Sequence, residues 1–583
     1  MATNTQPKRK SQQRQAAFRL LILVAILVCI NMLAARFHYG LDLTREKRFT
    51  LSTATKNLLR NMDDVAVVNV YLKGNFPAGF QRLSEATRER LQSFREYAGS
   101  KIVFRFIDPF EGKSEMEKKA IYQQLVTKGI MPVELNVKDA EDGSSQKVIF
   151  PYALVQYNNR EMAVRLLDNK IGLTPLEILN YSESMLEYKF AGAINKLSSP
   201  AKPEIAYIMG HGEALGAHTY DLLTTLAGIY TVDTIDLVNS LYISPVYKAV
   251  IINKPTQRID DRDKFKIDQY VMNGGRVLWA VESLNATMDS MQFHKGGDVK
   301  SPEFLAMDYG LNLDDQLFKY GVRVNPTLVE DMQCLEIPVT VGVVNNNPQI
   351  ELRPWIYFPL FTPESRHPIV NNMGEVFGRF VSTIDTIANP EIKKTILLTS
   401  SKYSRVSQAP ARVSLAMVQF APRPEMFKQP SQPVAVLLEG KFKSVFQNQL
   451  TPQFLQILRD SIKRPFKPEA DSASKMIVIA DGDMLLNDFT ESMGPMEMGY
   501  WRFTKSLYSN KAFILNCLEY LTDNAGLLEA RSKDTRLRLL DGGRVRDEKN
   551  TWQALNIGLP IALVLIFASA YLFFRKRRYE KKA

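Results

Sequence analysis

His211 and Glu213 lie two residues apart in the run Gly210-His211-Gly212-Glu213-Ala214-Leu215-Gly216. An imidazole and a carboxylate so spaced can divide acid and base work on a substrate that reaches them. The same glycines also permit a turn with φ > 0, with Glu213 near a helix N-terminus and His211 bonded to a neighbouring loop. The structural turn is the reading adopted. Asp481-Gly482-Asp483 sets two carboxylates about a glycine, an arrangement that shares a divalent cation when other oxygens join it. No further ligands are identifiable from the sequence, so these aspartates are read as capping their own loop. Trp355, Tyr357 and Phe358, within Arg353-Pro354-Trp355-Ile356-Tyr357-Phe358-Pro359, form a candidate aromatic contact for a sugar or lipid, against an ordinary place in a core.

Other fragments fail on spacing. Gly112-Lys113-Ser114 ends like a phosphate-binding loop, but the first glycine of that motif would fall at Ile107, inside an expected strand. The run Gly210 to Gly216 is one residue too long for a dinucleotide fingerprint. No serine or cysteine stands in a Gly-x-Ser-x-Gly elbow, and five histidines leave little for metal clusters. The expectation is therefore no catalytic residue, no metal and no cofactor. Three cysteines in 583 residues exclude a disulfide-built scaffold, and the spacing of Cys334 and Cys517 leaves their pairing open.

The elements that position these residues alternate. A helix from Ser52 or Thr53 to Arg60, an alternating run Val65–Leu72, a helical pattern around Leu83, Leu91 and Phe94, and a strand Ile102–Ile107 come first. A helix Glu115–Lys128 and strands Pro132–Lys138, Lys147–Phe150, Ala153–Tyr157 and Met162–Leu167 follow, with Asn158-Asn159 as a hairpin turn. This β-α-β-α-β-β order suggests a thioredoxin-like domain, without its Cys-x-x-Cys chemistry. After a helix Pro175–Leu197, Ser198-Ser199-Pro200 marks a boundary. Ile205–Met209, Tyr220–Ile229, Tyr230–Leu237, Ala249–Asn253, Asp261–Met272 and Arg276–Ala280 then alternate as in a parallel sheet covered by helices, with Gly210–Glu213 at a strand's carboxyl end. Residues 300–470 lose that rhythm and read as a β-rich insertion. The sheet resumes in Lys475–Ala480, followed by a helix Lys511–Thr522.

Apolar segments close both ends. Asn550–Phe574 contains no charge, and its length exceeds a ~30 Å hydrocarbon core. Leu20–Ala35 is shorter, bounded by Arg19 and Arg36, and spans only if Ala16–Phe18 join it and Arg19 snorkels. A cleaved signal peptide competes with the uncleaved anchor adopted here, since Ala34-Ala35 followed by Arg36 is a poor cleavage site. The two tails hold ten of the formal net charge of +12, so the basicity is topological and no nucleic-acid partner is assigned. Basic flanks stay cytoplasmic and contact membrane lipids. The expected layout is a basic tail at 1–19, a first span at 20–39 and a thioredoxin-like domain with its collar at 40–198. A flavodoxin- or amidotransferase-like parallel-sheet domain at 199–525 carries the insertion. A connector at 526–550, a second span at 551–574 and a basic tail at 575–583 complete a multi-pass inner-membrane protein with a periplasmic body.

The collar Asp42–Ser52, Gly210–Glu213, Arg353–Pro359, the strand end Lys475–Asp483, Arg531–Asp541 and Trp552–Pro560 with its basic tail occur in an order that resembles one family. It is the gliding-motility-associated ABC transporter auxiliary proteins, GldG, of Bacteroidota. The resemblance implies partnership with an ABC-2-type permease and a separate cytoplasmic ATPase, a part in gliding and envelope export, and a body that binds cargo or envelope components. It also implies an amidotransferase-like sheet without catalytic apparatus, and Lys254-Pro255 indeed stands where a nucleophilic cysteine would be needed. The alternatives are a membrane-tethered hydrolase or transferase using His211 and Glu213, and a stand-alone envelope-binding scaffold.

Overall fold

The computed structural model describes residues 18–29, 31–32, 50–74, 76–138, 144–168, 174–199, 201–288, 303–345, 347–371, 373–419, 422–523, 526–532 and 548–580. Most of the collar expected at Asp42–Ser52, the tail before residue 18 and residues 33–40 lie outside them. The chain is mixed α/β and falls into two compact units, Met1–Asp534 and Thr535–Ala583.

The first unit opens with α1 (Thr53–Arg60), whose N-cap Ser52 accepts a hydrogen bond from the Thr55 N–H. It continues through β1 (Ala66–Val70), α2 (Ala78–Ala98), β2 (Ile102–Phe106) and α3 (Glu115–Thr127). Then come β3 (Val133–Lys138), β4 (Ser144–Ile149), β5 (Tyr152–Tyr157), β6 (Arg160–Arg165) and α4 (Pro175–Ser198). The sheet has the order β2-β1-β5-β6, with β1 and β2 parallel and the other pairs antiparallel. The expected β-α-β-α-β-β layout changes in one respect: β3 and β4 pair only with each other, as a separate hairpin. Thr174, Pro175 and Glu177 start α4 with a capping box, which satisfies N–H groups that the helix leaves orphaned. That helix buries Leu186, Phe190, Ile194 and Leu197 over the sheet, and Phe190 meets Phe94 of α2 edge-on at 6.4 Å. Leu527, from beyond the second sheet, returns to the same core.

The second sheet is built from β7 (Glu204–Met209), β8 (Thr231–Asp236), β9 (Ala249–Asn253), β10 (Val277–Ala280), β11 (Ile392–Thr399), β12 (Pro433–Gly440) and β13 (Ser474–Ile479). Its order is β11-β12-β13-β10-β9-β7-β8. The run from β13 to β8 is parallel, and β12 runs antiparallel to both its neighbours. Helix α5 (Tyr220–Ile229) is the crossover from β7 to β8, and α6 (Asp261–Met272) that from β9 to β10. Every residue of β9 is buried because both faces are covered, which is why Ala249–Ile252 is an unbroken apolar run. Tyr207, Ile251, Leu278 and Ile477 face a core closed by α7 (Asn510–Thr522) through Phe513 and Leu518. Ile208, Ile252, Trp279 and Val478 face the other core, with Tyr270 of α6. The stretch read as an insertion therefore supplies two strands of the main sheet, β11 and β12, as well as a long hairpin, Cys334–Val344 with Asn347–Phe361. Cys334 and Cys517 are free thiols.

The second unit holds a helix over Lys549–Glu580, with Pro560 inside it. Two spans were expected. Among the described residues only Thr551–Arg577 is long and apolar enough to cross a membrane, and the N-terminal segment gives a helix over Phe18–Cys29.

Replacing Phe190 by Ala removes the ring at the centre of the first core. The expected cost is about 3–5 kcal/mol, read as loss of hydrogen-exchange protection in α2, α4 and β1 while β9 and β10 keep theirs.

Candidate functional site

Strand order reverses between β7 and β9, since the chain goes from β7 outward to β8 and then returns to β9 on the other side. In open α/β sheets this is where a crevice receives ligands. Here the two strand-end loops close on each other. The His211 carbonyl accepts hydrogen bonds from the Thr256 and Gln257 N–H groups, both at 2.9 Å, and Thr256 Oγ1 donates to the Gly212 carbonyl. Gly212 has φ 84°, and a Cβ there would lie 2.1 Å from Thr256 Oγ1, so only glycine lets the loops meet.

Within this clasp the His211 N–H donates to Glu213 Oε2 at 2.7 Å, and its Nε2 lies 3.1 Å from Asp263 Oδ2 on α6. Lys266 Nζ binds the other Asp263 oxygen at 2.7 Å and the Leu237 carbonyl at 2.6 Å. Glu213 thus closes its own turn rather than a following helix, and His211 reaches a helix rather than a loop. Burial disfavours the imidazolium, but Glu213 and Asp263 outweigh that and raise the His211 pKa. A buried imidazole already engaged by two carboxylates is a poor general base for a substrate.

A second constellation lies at the ends of β9, β10 and β13. Lys254 Nζ is 2.6 Å from Asp483 Oδ1 and 3.0 Å from Glu282 Oε1. Asp481 accepts N–H bonds on both oxygens, from Asp483 at 2.7 Å and Arg379 at 2.8 Å. The Arg379 guanidinium pairs with Asp488 at 2.8 Å and lies within 6 Å of the Phe358, Phe377 and Trp501 rings. Glu282 and Asp481 are buried. Burial pushes the Glu282 carboxyl well up, partly offset by Lys254, while burial and then the Asp483 charge bring Asp481 to about 7. Burial works against the Lys254 ammonium, but Asp483 and Glu282 overcome it and hold the proton on. Lys254 is therefore no nucleophile at neutral pH.

Glu282, Asp481 and Asp483 present carboxylate oxygens within 4.8 Å of one another, close enough to share a divalent cation. The donor set does not fit one. Lys254 Nζ already neutralises two of the three carboxylates, and both oxygens of Asp481 are taken by backbone N–H groups.

The sequence-expected residues thus divide into two clusters, His211 with Glu213 and Asp481 with Asp483. Among the described residues no hydrogen bond or ion pair joins the two. The aromatic contact is corrected: Trp355, Tyr357 and Phe358 are only 1–2% exposed, packed with Phe380 and Trp501 in one core. They are unavailable to a sugar or lipid because their half of the strand lies under the surrounding loops. Sequence reasoning missed Lys254, Glu282 and Arg379 as partners. Lys254 and Glu282 had a signal, the first being a lone charge directly after β9 and the second one residue beyond the end of β10; Arg379, in an irregular segment, had none.

Residues 202–517 match the family described as an ABC-type uncharacterized transport system, an auxiliary component. That is more than half of the chain, and the protein belongs to this family. Residues 45–156 match DUF7088, a domain of unknown function. An uncharacterized protein of Borreliella burgdorferi is 20% identical over 556 residues, covering 93% of each chain. Among solved structures, the mmIFT52 N-terminal domain aligns at 12% identity over 55% of this chain and 98% of its own, with a TM-score of 0.28.

Two outcomes follow from the buried charges. Lys254→Met leaves Glu282 and Asp483 without their cation, at an expected cost of about 3–5 kcal/mol. Because the Asp481 pKa is raised, its contribution to stability is full below the usual carboxylate range and is lost as pH rises through about 7. Lys254 also lowers the pKa of Asp481 and Glu282, so without it both take up a proton more readily as pH falls. Thermal melts of the variant should therefore fall further below the parent at pH 8 than at pH 5. His211, also raised, contributes most below its ordinary pKa and loses that contribution as pH rises through its elevated value. His211→Ala should lower the melting temperature more at pH 6 than at pH 9.

Proposed function

We propose that this protein is a noncatalytic, membrane-anchored auxiliary subunit of an ABC-2-type transporter, partnered by a permease and a separate cytoplasmic ATPase. The observation that carries this reading is the family match across residues 202–517, which takes in the whole second sheet. Thr551–Arg577 is the anchor, and the basic tail from Arg575 keeps its end on the cytoplasmic side. The N-terminal apolar segment, behind five basic residues, directs the first unit across the inner membrane into the periplasm. There the thioredoxin-like and amidotransferase-like layers present surfaces to cargo or envelope components, in gliding or a related export task of the GldG kind. A noncatalytic role is supported by the closed switch-point loops, by the Lys254 ammonium held between two carboxylates, and by His211, already engaged by Glu213 and Asp263. A tethered hydrolase working through His211 and Glu213 has no such support.

A mild-detergent pull-down of the tagged full-length protein from native membranes should recover a polytopic permease and an ATP-binding subunit in stoichiometric amounts. Recovery of neither, from membranes in which other complexes survive, or ATP hydrolysis by the purified chain alone, would overturn the proposal.

A further inference from the structure

The helix Pro452–Asp460 is fastened to α6 on both sides of its length. Thr451 caps it, accepting a hydrogen bond from the Phe454 N–H at 3.3 Å. Phe454 and Phe466 pack on Phe265 of α6, with ring centroids 5.5 and 6.2 Å away. The Lys467 N–H donates to Gln269 Oε1 at 2.9 Å, and the Lys467 carbonyl accepts from Gln269 Nε2 at 3.0 Å. Between this segment and the loop joining β8 to β9 lies a groove, whose walls include Leu241, Tyr242, Phe265, Leu458, Ile462 and Arg464. It holds a cavity of about 50 Å³. At about 10–15 Å³ for each water, that is room for a few waters or for one apolar side chain.

Floor and lip differ in chemistry. The lysine, glutamine and tyrosine of the floor are engaged within the chain: Lys266 Nζ by Asp263 and the Leu237 carbonyl, Gln269 by Lys467, and the Tyr270 hydroxyl by the Tyr247 carbonyl. At the lip, Leu241 is 76% exposed and Tyr242 43%. The Arg464 guanidinium lies on the Tyr242 ring, 3.8 Å from its centroid. Stacking fixes the plane of a guanidinium and leaves the N–H groups on its edge for an acceptor. The end of the helix aims it, since the Arg464 N–H donates to the Leu458 carbonyl at 2.8 Å and Lys463 takes φ 55°, the left-handed turn that glycine usually makes there. The nearby acids are occupied: Asp263 by Lys266, Asp460 by Arg459, Asp471 by Lys467, and Asp233 by the Tyr247 hydroxyl. The loop 237–248 carries no acid. Lys463 and Arg464 thus have no carboxylate partner among the described residues.

We propose that this groove docks a segment of a partner protein that presents one large apolar side chain beside a carboxylate. The side chain fills the cavity, and the carboxylate accepts two N–H bonds from Arg464. An apolar floor rewards burial of a group with nothing polar to satisfy. A guanidinium already held in place binds a carboxylate bidentately with little ordering left to do. Tyrosine and arginine around a one-residue pocket are the composition of an interface hot spot. Two other occupants fit less well. A second copy docked about a two-fold axis would bring Lys463 and Arg464 against their own counterparts, and a bilayer surface would meet the lip but leave the cavity behind it unfilled. The inference goes beyond the transporter assignment, because the groove and its unpaired guanidinium belong to the first unit by itself.

The test presents the full-length chain in nanodiscs to a phage-displayed library of random linear heptapeptides. Enriched sequences should place Leu, Ile, Phe or Met within two positions of Asp or Glu. They should bind at least tenfold more weakly to Arg464→Glu and to Leu241→Asp, with melting temperatures equal to the parent's. Selection on Arg464→Glu should in turn enrich Lys or Arg in place of the acid, a reversal that damage to the fold could not give. Enrichment no better than on empty nanodiscs, enriched peptides without an acid, or equal binding to Arg464→Glu would overturn the proposal. So would an Arg464-dependent pairing of two copies, or Arg464-dependent sedimentation of the nanodiscs with phosphatidylglycerol vesicles. The pull-down of permease and ATPase reports on the transporter reading separately.

Discussion

A parallel sheet gathers its strand ends at one edge, and in this chain two of those ends, of β10 and β13, deliver acids into a buried space while β9 delivers a lysine. The Lys254 ammonium between Asp483 and Glu282 is what makes that edge tenable. Removing a carboxylate from water costs several kcal/mol unless a partner compensates, and one lysine compensates for acids from two different strands. The geometry requires close approach. A Cβ at Gly482 would lie 2.4 Å from Lys254 Cβ, and one at Gly378 would lie 2.6 Å from Asp481 Oδ2. Lys254 itself sits at φ 51°, a conformation that costs a non-glycine residue on the order of 1–2 kcal/mol. The ion pairs, not local backbone preference, hold it there.

That edge ties together segments far apart in sequence. Asp481 binds the backbone of Arg379, whose guanidinium reaches Asp488 and the rings of Phe358, Phe377 and Trp501. The irregular region between β10 and β13 is thereby fastened to the sheet through the position a ligand would otherwise use. At the neighbouring strand ends the His211 turn and the Thr256 loop are hydrogen-bonded across the switch point. Charges that would serve proton transfer in an open crevice serve here as a clamp between strand ends.

The parts of this fold that were legible in the sequence are those set by local pattern. Ala249–Ile252 and Met476–Ala480 are unbroken apolar runs, and a strand covered on both faces needs such a run. Thr174-Pro175 with Glu177 announces the start of α4 by capping chemistry that does not depend on the rest of the chain. Partner choice was not legible. Val133–Lys138 has strand character yet pairs outside the main sheet, and β11 and β12 enter a sheet whose other strands lie far away in sequence. The same limit hid the candidate site: Asp481 and Asp483 stood out as a motif, whereas Lys254 and Glu282 acquire meaning only once β9, β10 and β13 are adjacent.

The strand Asn347–Phe361 shows why composition misled about the aromatic run. Its two halves share one backbone direction but opposite environments, and the most apolar half is the hidden one. Trp355, Tyr357 and Phe358 therefore act as the root that makes the outer ribbon rigid, through Trp501 and Arg379. Prolines at 338, 348 and 354 oppose open-ended strand addition along it. The same aromatic core that receives the Arg379 guanidinium from the strand-end clamp thus also fixes the base of the exposed ribbon, through the Trp501 bond to the Glu336 carbonyl.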